Sequence, residues 1–275
     1  MENRISKLGK KIKIKKIKSS SGSANLIDVI PFELLLTIFL NSNRISTISC
    51  SPANFIELTI GYLVNNGYIE SYSDIELLNI CSHDIGKIIS RNDLALKIEV
   101  NATINKDKTR CLDSLKFISS ECGNIDDFIF EKDLKKVKSN LKVTSDVILS
   151  LNKETASKQR YKKEFGGLHS AALFNKDGNL LIITEDIGRH NCIDKIAGYM
   201  LIKSLSPEDK IIFTTGRLGI DLIYKICRMQ IPVIITNSSI TFSAATLAKK
   251  INLTVIGYAR GRRFNIYSSP RRILE

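Results

Sequence analysis

Long apolar runs are missing from this 275-residue chain. The longest, Phe32–Leu40, spans nine residues and is broken by Glu33 and Thr37, whereas a spanning helix needs about 20. No membrane crossing and no membrane partner are expected. The basic N-terminus, Met1–Lys18, lacks both the apolar segment and the small-residue cleavage site of a signal peptide, so a cytoplasmic protein is expected. Paired cysteines are missing too. The six stand at 50, 81, 111, 122, 192 and 227, no two of them three apart, which excludes a CxxC redox pair and zinc-ribbon spacing. An even count does not make a disulfide framework in a cytosolic chain. With 43% hydrophobic and 25% charged residues, disorder, collagen and coiled coil are excluded as the main state.

Acidic residues are scarce where basic ones gather. Lys plus Arg is 41 against 28 Asp plus Glu, a formal charge of +13, which favours an anionic partner. Residues 1–23 carry eight Lys/Arg and one acid, and residues 258–272 carry five Arg and no acid. The first excess, Lys10 to Lys18 alternating with Ile and followed by Ser19–Ser23, reads as a flexible basic tail and linker over residues 1–24. A nucleic-acid-binding arm is the competing reading. It is disfavoured because neither an aromatic platform nor a helix-turn-helix accompanies the lysines.

Residues 25–110 read as a small α+β domain. Phe32–Leu40 and Arg44–Cys50 are strands joined at Asn41–Asn43. Ser51 resembles an N-cap, Pro52 a first-turn proline and Gly67 a helix stop, with Phe55, Leu58, Tyr62 and Leu63 at helical spacing between them. Residues 75–104 alternate weakly, as two or three strands do. The Lys-rich stretch from Glu131 to Lys163 reads as one or two helices. Most cysteines are expected to be buried thiols. Cys122 differs, because Ser119-Ser120-Glu121-Cys122-Gly123-Asn124 is polar and turn-forming, where a thiol is reachable.

From residue 111 onward a second, α/β domain is expected. His169–Phe174 and Leu180–Thr184 flank a hairpin signature at Asn175–Asn179. Helix 191–204, strand Lys210–Thr215, helix Ile220–Met229, strand Val233–Thr236, helix Phe242–Ile251 and strand Leu253–Tyr258 then alternate. Such alternation predicts a mostly parallel sheet with helices on both faces, whose ligands bind beyond the carboxyl ends of the strands. Those ends are Glu185–Asn191, Thr215–Arg217, Thr236–Ser239 and Ala259–Arg263. They bring Arg, small hydroxyls and Gly to one edge, as a phosphate ligand requires. Ordinary polar loops would look the same.

Three stretches carry more. Gly166-Gly167-Leu168-His169-Ser170-Ala171-Ala172-Leu173, Glu185-Asp186-Ile187-Gly188-Arg189-His190-Asn191-Cys192-Ile193-Asp194-Lys195 and Gly257–Ser268 resemble, in order and spacing, the FdhD family of accessory sulfurtransferases needed for active formate dehydrogenase. Ser51–Glu57, Gly61–Leu63 and Gly67–Ile69 resemble that family's N-terminal helix. The resemblance implies a cytidine-deaminase-like layered fold for the second domain. A zinc deaminase needs H-x-E followed by P-C-x-x-C. Here His169 is followed by Ser170 and Ala171 and there is no cysteine pair, so no zinc is expected.

The resemblance further implies that sulfur arrives from a cysteine desulfurase as a persulfide on Cys122. It then passes to the molybdenum bis(molybdopterin guanine dinucleotide) cofactor of formate dehydrogenase, of which GDP is a fragment. The family often has two cysteines in this loop; here Ser119 stands three residues before Cys122. A cofactor-binding chaperone that transfers no sulfur is therefore the runner-up. Tyr258, Ala259, Arg260, Gly261, Arg262 and Arg263 match the family's cofactor-binding stretch. Gly188 and Arg189 open a helix whose N-terminus suits another phosphate. His190 is read as orienting ligand or donating a proton, or else as satisfied by loop backbone. Gly216 and Arg217 continue the edge, while Asp194 and Lys195 are read as supporting the loop. A homodimer is implied at the level of the family.

Overall fold

A computed structural model describes residues 8–19, 22–81, 96–104 and 134–275. Cys122, Cys111 and His83 lie outside the described residues. The chain opens with a ribbon. Strands β1 (Gly9–Lys18) and β2 (Gly22–Pro31) pair antiparallel end to end, Gly9 opposite Pro31 and Lys18 opposite Gly22. The segment expected to be a flexible tail up to residue 24 is thus largely a strand, and the boundary at 24 falls inside β2. The reason is the period-two alternation of Lys and Ile, which puts Ile12 and Ile14 on one face with Leu26 and Ile30.

Next come β3 (Leu34–Leu40), β4 (Asn43–Cys50), α1 (Phe55–Asn65), β5 (Ile75–Cys81) and β6 (Leu96–Ile104). Their sheet runs β4-β3-β6-β5, with β3 and β6 parallel. Alternate residues of β3 (Leu34, Leu36, Ile38, Leu40) and of β6 (Ile98, Val100, Ala102, Ile104) are buried against Phe55, Leu58 and Leu63 of α1. The helix starts later than Ser51-Pro52 predicts. Asn54, left-handed at φ 58°, precedes Phe55 and supplies no side-chain cap. Ser51 is occupied elsewhere, as described below.

The remainder is built from β7 (Val143–Thr144), α2 (Ser145–Lys158), α3 (Tyr161–Phe165), β8 (His169–Asn175), β9 (Leu180–Asp186), α4 (Arg189–Ile202), β10 (Lys210–Thr214), α5 (Ile220–Arg228), β11 (Val233–Thr236), α6 (Phe242–Lys250), β12 (Thr254–Arg260), β13 (Arg263–Ser268) and β14 (Ile273–Leu274). Six strands form one sheet in the order β13-β12-β11-β10-β8-β9. The expected mostly parallel sheet is corrected to a mixed one: β10, β11 and β12 are mutually parallel, whereas β8–β10, β8–β9 and β12–β13 pair antiparallel. The Asn175–Asn179 turn forces the first reversal, and Gly261-Arg262 between β12 and β13 forces the second.

Helices cover both faces. Ile212, Ile234 and Val255 pack under α4, α5 and α6, while their neighbours Ile211, Phe213, Val233 and Ile235 pack with Ile148 and Leu151 of α2. Burial on both faces explains why these strands read as continuous apolar runs. Among the described residues no helix is long and apolar enough to cross a membrane. The two units meet where α1 crosses α4. A Cβ on Gly61 would overlap the Asp194 carbonyl, and one on Gly198 the Glu57 carbonyl. Only glycine admits two helix backbones that close.

Candidate functional site

Because β9, β10, β11 and β12 run the same way, their carboxyl ends meet at one edge, joined there by the amino end of β8. Thr215 N–H donates to Ser170 O at 2.9 Å, and Thr236 Oγ1 to Gly216 O at 2.7 Å. Leu218 N–H donates to Ser239 O, Tyr258 N–H to Ser238 O, and Arg260 Nε to Asn237 O at 2.6 Å. The loops at 215–218, 236–241 and 257–260 are thereby tied into one ledge.

The turn at 185–191 splits into inward and outward groups. Asp186 is fully buried, and both its oxygens are saturated. Oδ1 accepts from Gly188 N–H (2.9 Å) and Asn191 Nδ2 (2.8 Å), and Oδ2 from Lys195 Nζ (2.5 Å) and Ser51 N–H (3.2 Å). Ser51 Oγ accepts from Ile187 N–H at 3.1 Å, and Asn191 Nδ2 also donates to Ser49 O at 2.8 Å. The end of β4 therefore grips this turn from across the unit boundary. Asp194 joins in: its carboxylate accepts from Asn65 Nδ2 at 2.7 Å and pairs with Lys225. Glu185 receives the backbone N–H groups of Arg160, Tyr161 and Lys162, closing the start of α3. The amides of Ile187 and Gly188, just ahead of α4, are thereby spent on Ser51 and Asp186, and Arg189, His190 and Asn191 make up its first turn.

Outward lie the cations. Arg189 passes over Gly216, where a Cβ would come within 2.9 Å of its own Cβ. Arg217, Arg260, Arg262 and Arg263 are exposed, the last three on the β12–β13 hairpin. Tyr258 sits at φ 53° within a register irregularity and is 40% exposed. Gly261, at φ 59°, supplies the left-handed residue of the turn. Ala259 points the other way. Its side chain is buried in the core beneath the sheet, so only its backbone belongs to the edge.

Sequence reasoning missed Asp221. From the first turn of α5 its carboxylate hydrogen-bonds His190 Nε2 and lies 3.7 Å from Arg189 Nη2. Burial alone would raise this carboxyl. The His190 bond and charge, the Leu222 N–H and Arg189 outweigh it and hold the group at about 2. No local signal marks Asp221, because its partners stand 31 and 32 residues away. His169 joins the cluster. Burial first, then the charges of Arg189, Lys162 and His190, push its ring below the ordinary histidine range, against the pull of Asp186. Carboxylates around this edge are thus already engaged, and the outward side chains are cationic.

The described thiols are not at the rim. Cys50, Cys192 and Cys227 are all buried. Burial pushes Cys50 up to about 12 and Cys227 to about 11, and raises Cys192 as well. None is a thiolate at working pH.

The arrangement defines a mixed α/β protein with exposed arginines along the edge where its strands end. The comparisons with known proteins carry this to a family. The FdhD/NarQ family model matches residues 31–274, so the chain belongs to the FdhD/NarQ family. The chain is 34% identical over 266 residues to the sulfur carrier protein FdhD of Sulfolobus acidocaldarius, covering 96% of this chain and 98% of the relative. It is 32% identical to the sulfur carrier protein FdhD of Bacillus subtilis, covering 88% and 89%. Its fold is similar to the crystal structure of a putative formate dehydrogenase accessory protein from Desulfotalea psychrophila. There the TM-score is 0.75 at 24% identity, over 97% of this chain and all of that one.

Proposed function

We propose that this protein is a cytoplasmic sulfur carrier. It takes sulfur from a cysteine desulfurase as a persulfide on Cys122 and hands it to a molybdenum bis(molybdopterin guanine dinucleotide) cofactor, the client that formate dehydrogenase requires. The observation that carries the reading is the cationic edge, where Arg217 and the β12–β13 arginines are exposed beside Arg189 and His190, which share the Asp221 carboxylate. Fork-shaped guanidinium groups suit the pyrophosphate of a guanine dinucleotide. The names of the relatives support the sulfur half. So does the chemistry of the thiols, since the three described cysteines are buried and raised, which leaves loading to Cys81, Cys111 or Cys122. Of these, Cys122 has the polar, turn-forming surroundings.

Loading is a thiol exchange. The Cys122 thiolate attacks the outer sulfur of the donor persulfide, a new S–S bond forms, and the donor leaves as its thiolate. Zinc plays no part in this scheme. In the same reading the unit from residue 111 is layered like a cytidine deaminase, and the protein acts as a homodimer.

Intact mass after incubation with a cysteine desulfurase and cysteine tests the proposal. Wild type is expected to gain one sulfur atom, and Cys122→Ala none. Label on Cys111 or Cys192 would reassign the carrier. An unlabelled protein that still binds GDP would be a cofactor chaperone, the reading that the serine at position 119 favours.

A further inference from the structure

We infer that Asp221 is the positioning residue of His190. It fixes the ring as the Nε2–H tautomer, so that Nδ1 is presented at the carboxyl edge as an acceptor for an O–H or N–H group of the bound nucleotide. This deepens the proposed function and rests on its nucleotide-binding edge.

The geometry leaves Asp221 little choice. Leu222 N–H donates to its Oδ1 at 2.9 Å, and the same oxygen sits where a Cβ on Gly219 would have to be. With Oδ1 pinned to the start of α5, Oδ2 is aimed at His190 Nε2 and Arg189 Nη2. The side chain is 11% exposed, so swinging away would strand both partners. A carboxyl held at about 2 is ionised at any working pH and only accepts hydrogen bonds. The proton of the contact therefore belongs to Nε2. A neutral imidazole has one donor and one acceptor, and the acceptor is then Nδ1. Nδ1 makes no hydrogen bond among the described residues, and the ring is 23% exposed.

A bare Nδ1 has nothing to offer a phosphate oxygen, which is itself an acceptor. It matches a ribose hydroxyl or a base N–H. Phosphates fall instead to Arg189, whose guanidinium Asp221 steadies from below, and to Arg217 and Arg260 across the ledge. His169, on the neighbouring β8, is pushed toward its neutral form and so adds less positive charge here than an ordinary histidine would. The edge thus divides its work between arginines for the pyrophosphate and one oriented imidazole for the nucleoside.

The test has two readouts. With 15N-labelled histidine the protein shows three rings, His83, His169 and His190, and His190→Phe identifies the last. On the alkaline side of its titration, the His190 ring is expected to carry its proton on Nε2, with Nδ1 bare. Asp221→Asn, whose amide cannot accept from both Leu222 and His190, is expected to give a mixture of tautomers. A proton on Nδ1 in wild type, or an unchanged ring in Asp221→Asn, overturns the inference, and neither observation needs a ligand.

Calorimetry with GDP and with inorganic pyrophosphate, which has no ribose or base donor, gives the second readout. His190→Phe is expected to weaken GDP about tenfold, one ordinary hydrogen bond, and to leave pyrophosphate within about twofold. Asp221→Asn is expected to lower the ratio of GDP to pyrophosphate affinity similarly, and the double variant no further than His190→Phe. Parallel loss of both ligands in His190→Phe would make the ring a phosphate donor and overturn the inference. A wild type that binds neither ligand would sink the nucleotide-edge reading instead, with the ring spectrum still deciding the tautomer.

Discussion

Two sides of one turn behave differently. Between Glu185 and Asn191, the residues facing the seam with the N-terminal unit (Asp186, the Asn191 amide nitrogen and the amides of Ile187 and Gly188) make their hydrogen bonds within the fold. Those facing the rim, Arg189 and His190, are half-buried and share the Asp221 carboxylate. Yet both sides belong to one sequence block that reads as a single motif. The difference teaches that such a block is partly scaffold and partly site, and that burial and bond inventory tell the two apart. Seam substitutions should therefore cost stability first, and rim substitutions should cost binding while leaving stability nearly intact.

The largest effect is expected at the seam's buried pair. Lys195 and Asp186 are both 0% exposed, and Lys195→Met leaves the carboxylate with its amide donors but no cation. Breaking one partner of a buried pair costs about 3–5 kcal/mol, read as a shift in the urea midpoint. A wild-type midpoint would show that the seam is not where stability is stored. Gly61→Ala comes next. The added methyl meets the Asp194 carbonyl, which belongs to a helix backbone and cannot yield cheaply. Overpacking of this kind costs about 1–3 kcal/mol, and thermal unfolding would detect it. Unchanged stability would mean that the helices slide apart freely.

Asp221 lies between the two sides, and pH separates its contributions. Its carboxyl is lowered from 3.8 to about 2. The group therefore adds stability that is fully present above pH 4 and is lost as pH falls toward 2, about 2 kcal/mol by linkage. Unfolding of wild type and Asp221→Asn compared across this window is expected to show a gap that closes toward pH 2. A gap that stays constant would place the effect of the substitution in packing rather than charge.

How far the sequence spoke also follows this division. The alternation from His169 to Tyr258 marked each strand and helix within a residue or two, because apolar runs and turn residues are local signals. Strand direction was less legible: β13 hides inside the arginine-rich stretch, and its pairing with β12 reverses what alternation alone suggests. The ribbon was misread because lysine content outweighed its period-two pattern. Ser51 carried a familiar helix-start signal, yet it serves Ile187 and Asp186, 136 and 135 residues away. Asp221 was invisible for the same reason. Contacts between distant segments have no local pattern, and the residues that finish a site are often of that kind.

The smallest effect on stability, and the sharpest test of the rim, is expected from the β12–β13 arginines. Arg260 and Arg263 face each other at the base of the Gly261-Arg262 turn, and both are exposed. They are not equivalent. Arg260 spends its Nε on the Asn237 carbonyl, holding the β11 loop to the hairpin, and has only its terminal nitrogens left for a ligand. Arg263 has no such duty among the described contacts. Arg263→Ala should then leave unfolding within about 0.5 kcal/mol of wild type, as surface changes usually do. Arg260→Ala should lose somewhat more, up to about 1 kcal/mol for one hydrogen bond. Changed together, they should weaken GDP by at least ~1.5–3 kcal/mol, the scale of a charge-assisted bond, read by calorimetry beside unfolding. Sulfur loading of Cys122 should be untouched, since it needs only the thiol and the donor enzyme. A double variant that binds GDP as tightly as wild type would move the site away from the hairpin. One that loses loading and GDP binding together while still fully folded would merge carrier and edge into one site, and the separation of seam from rim would then extend no further than stability.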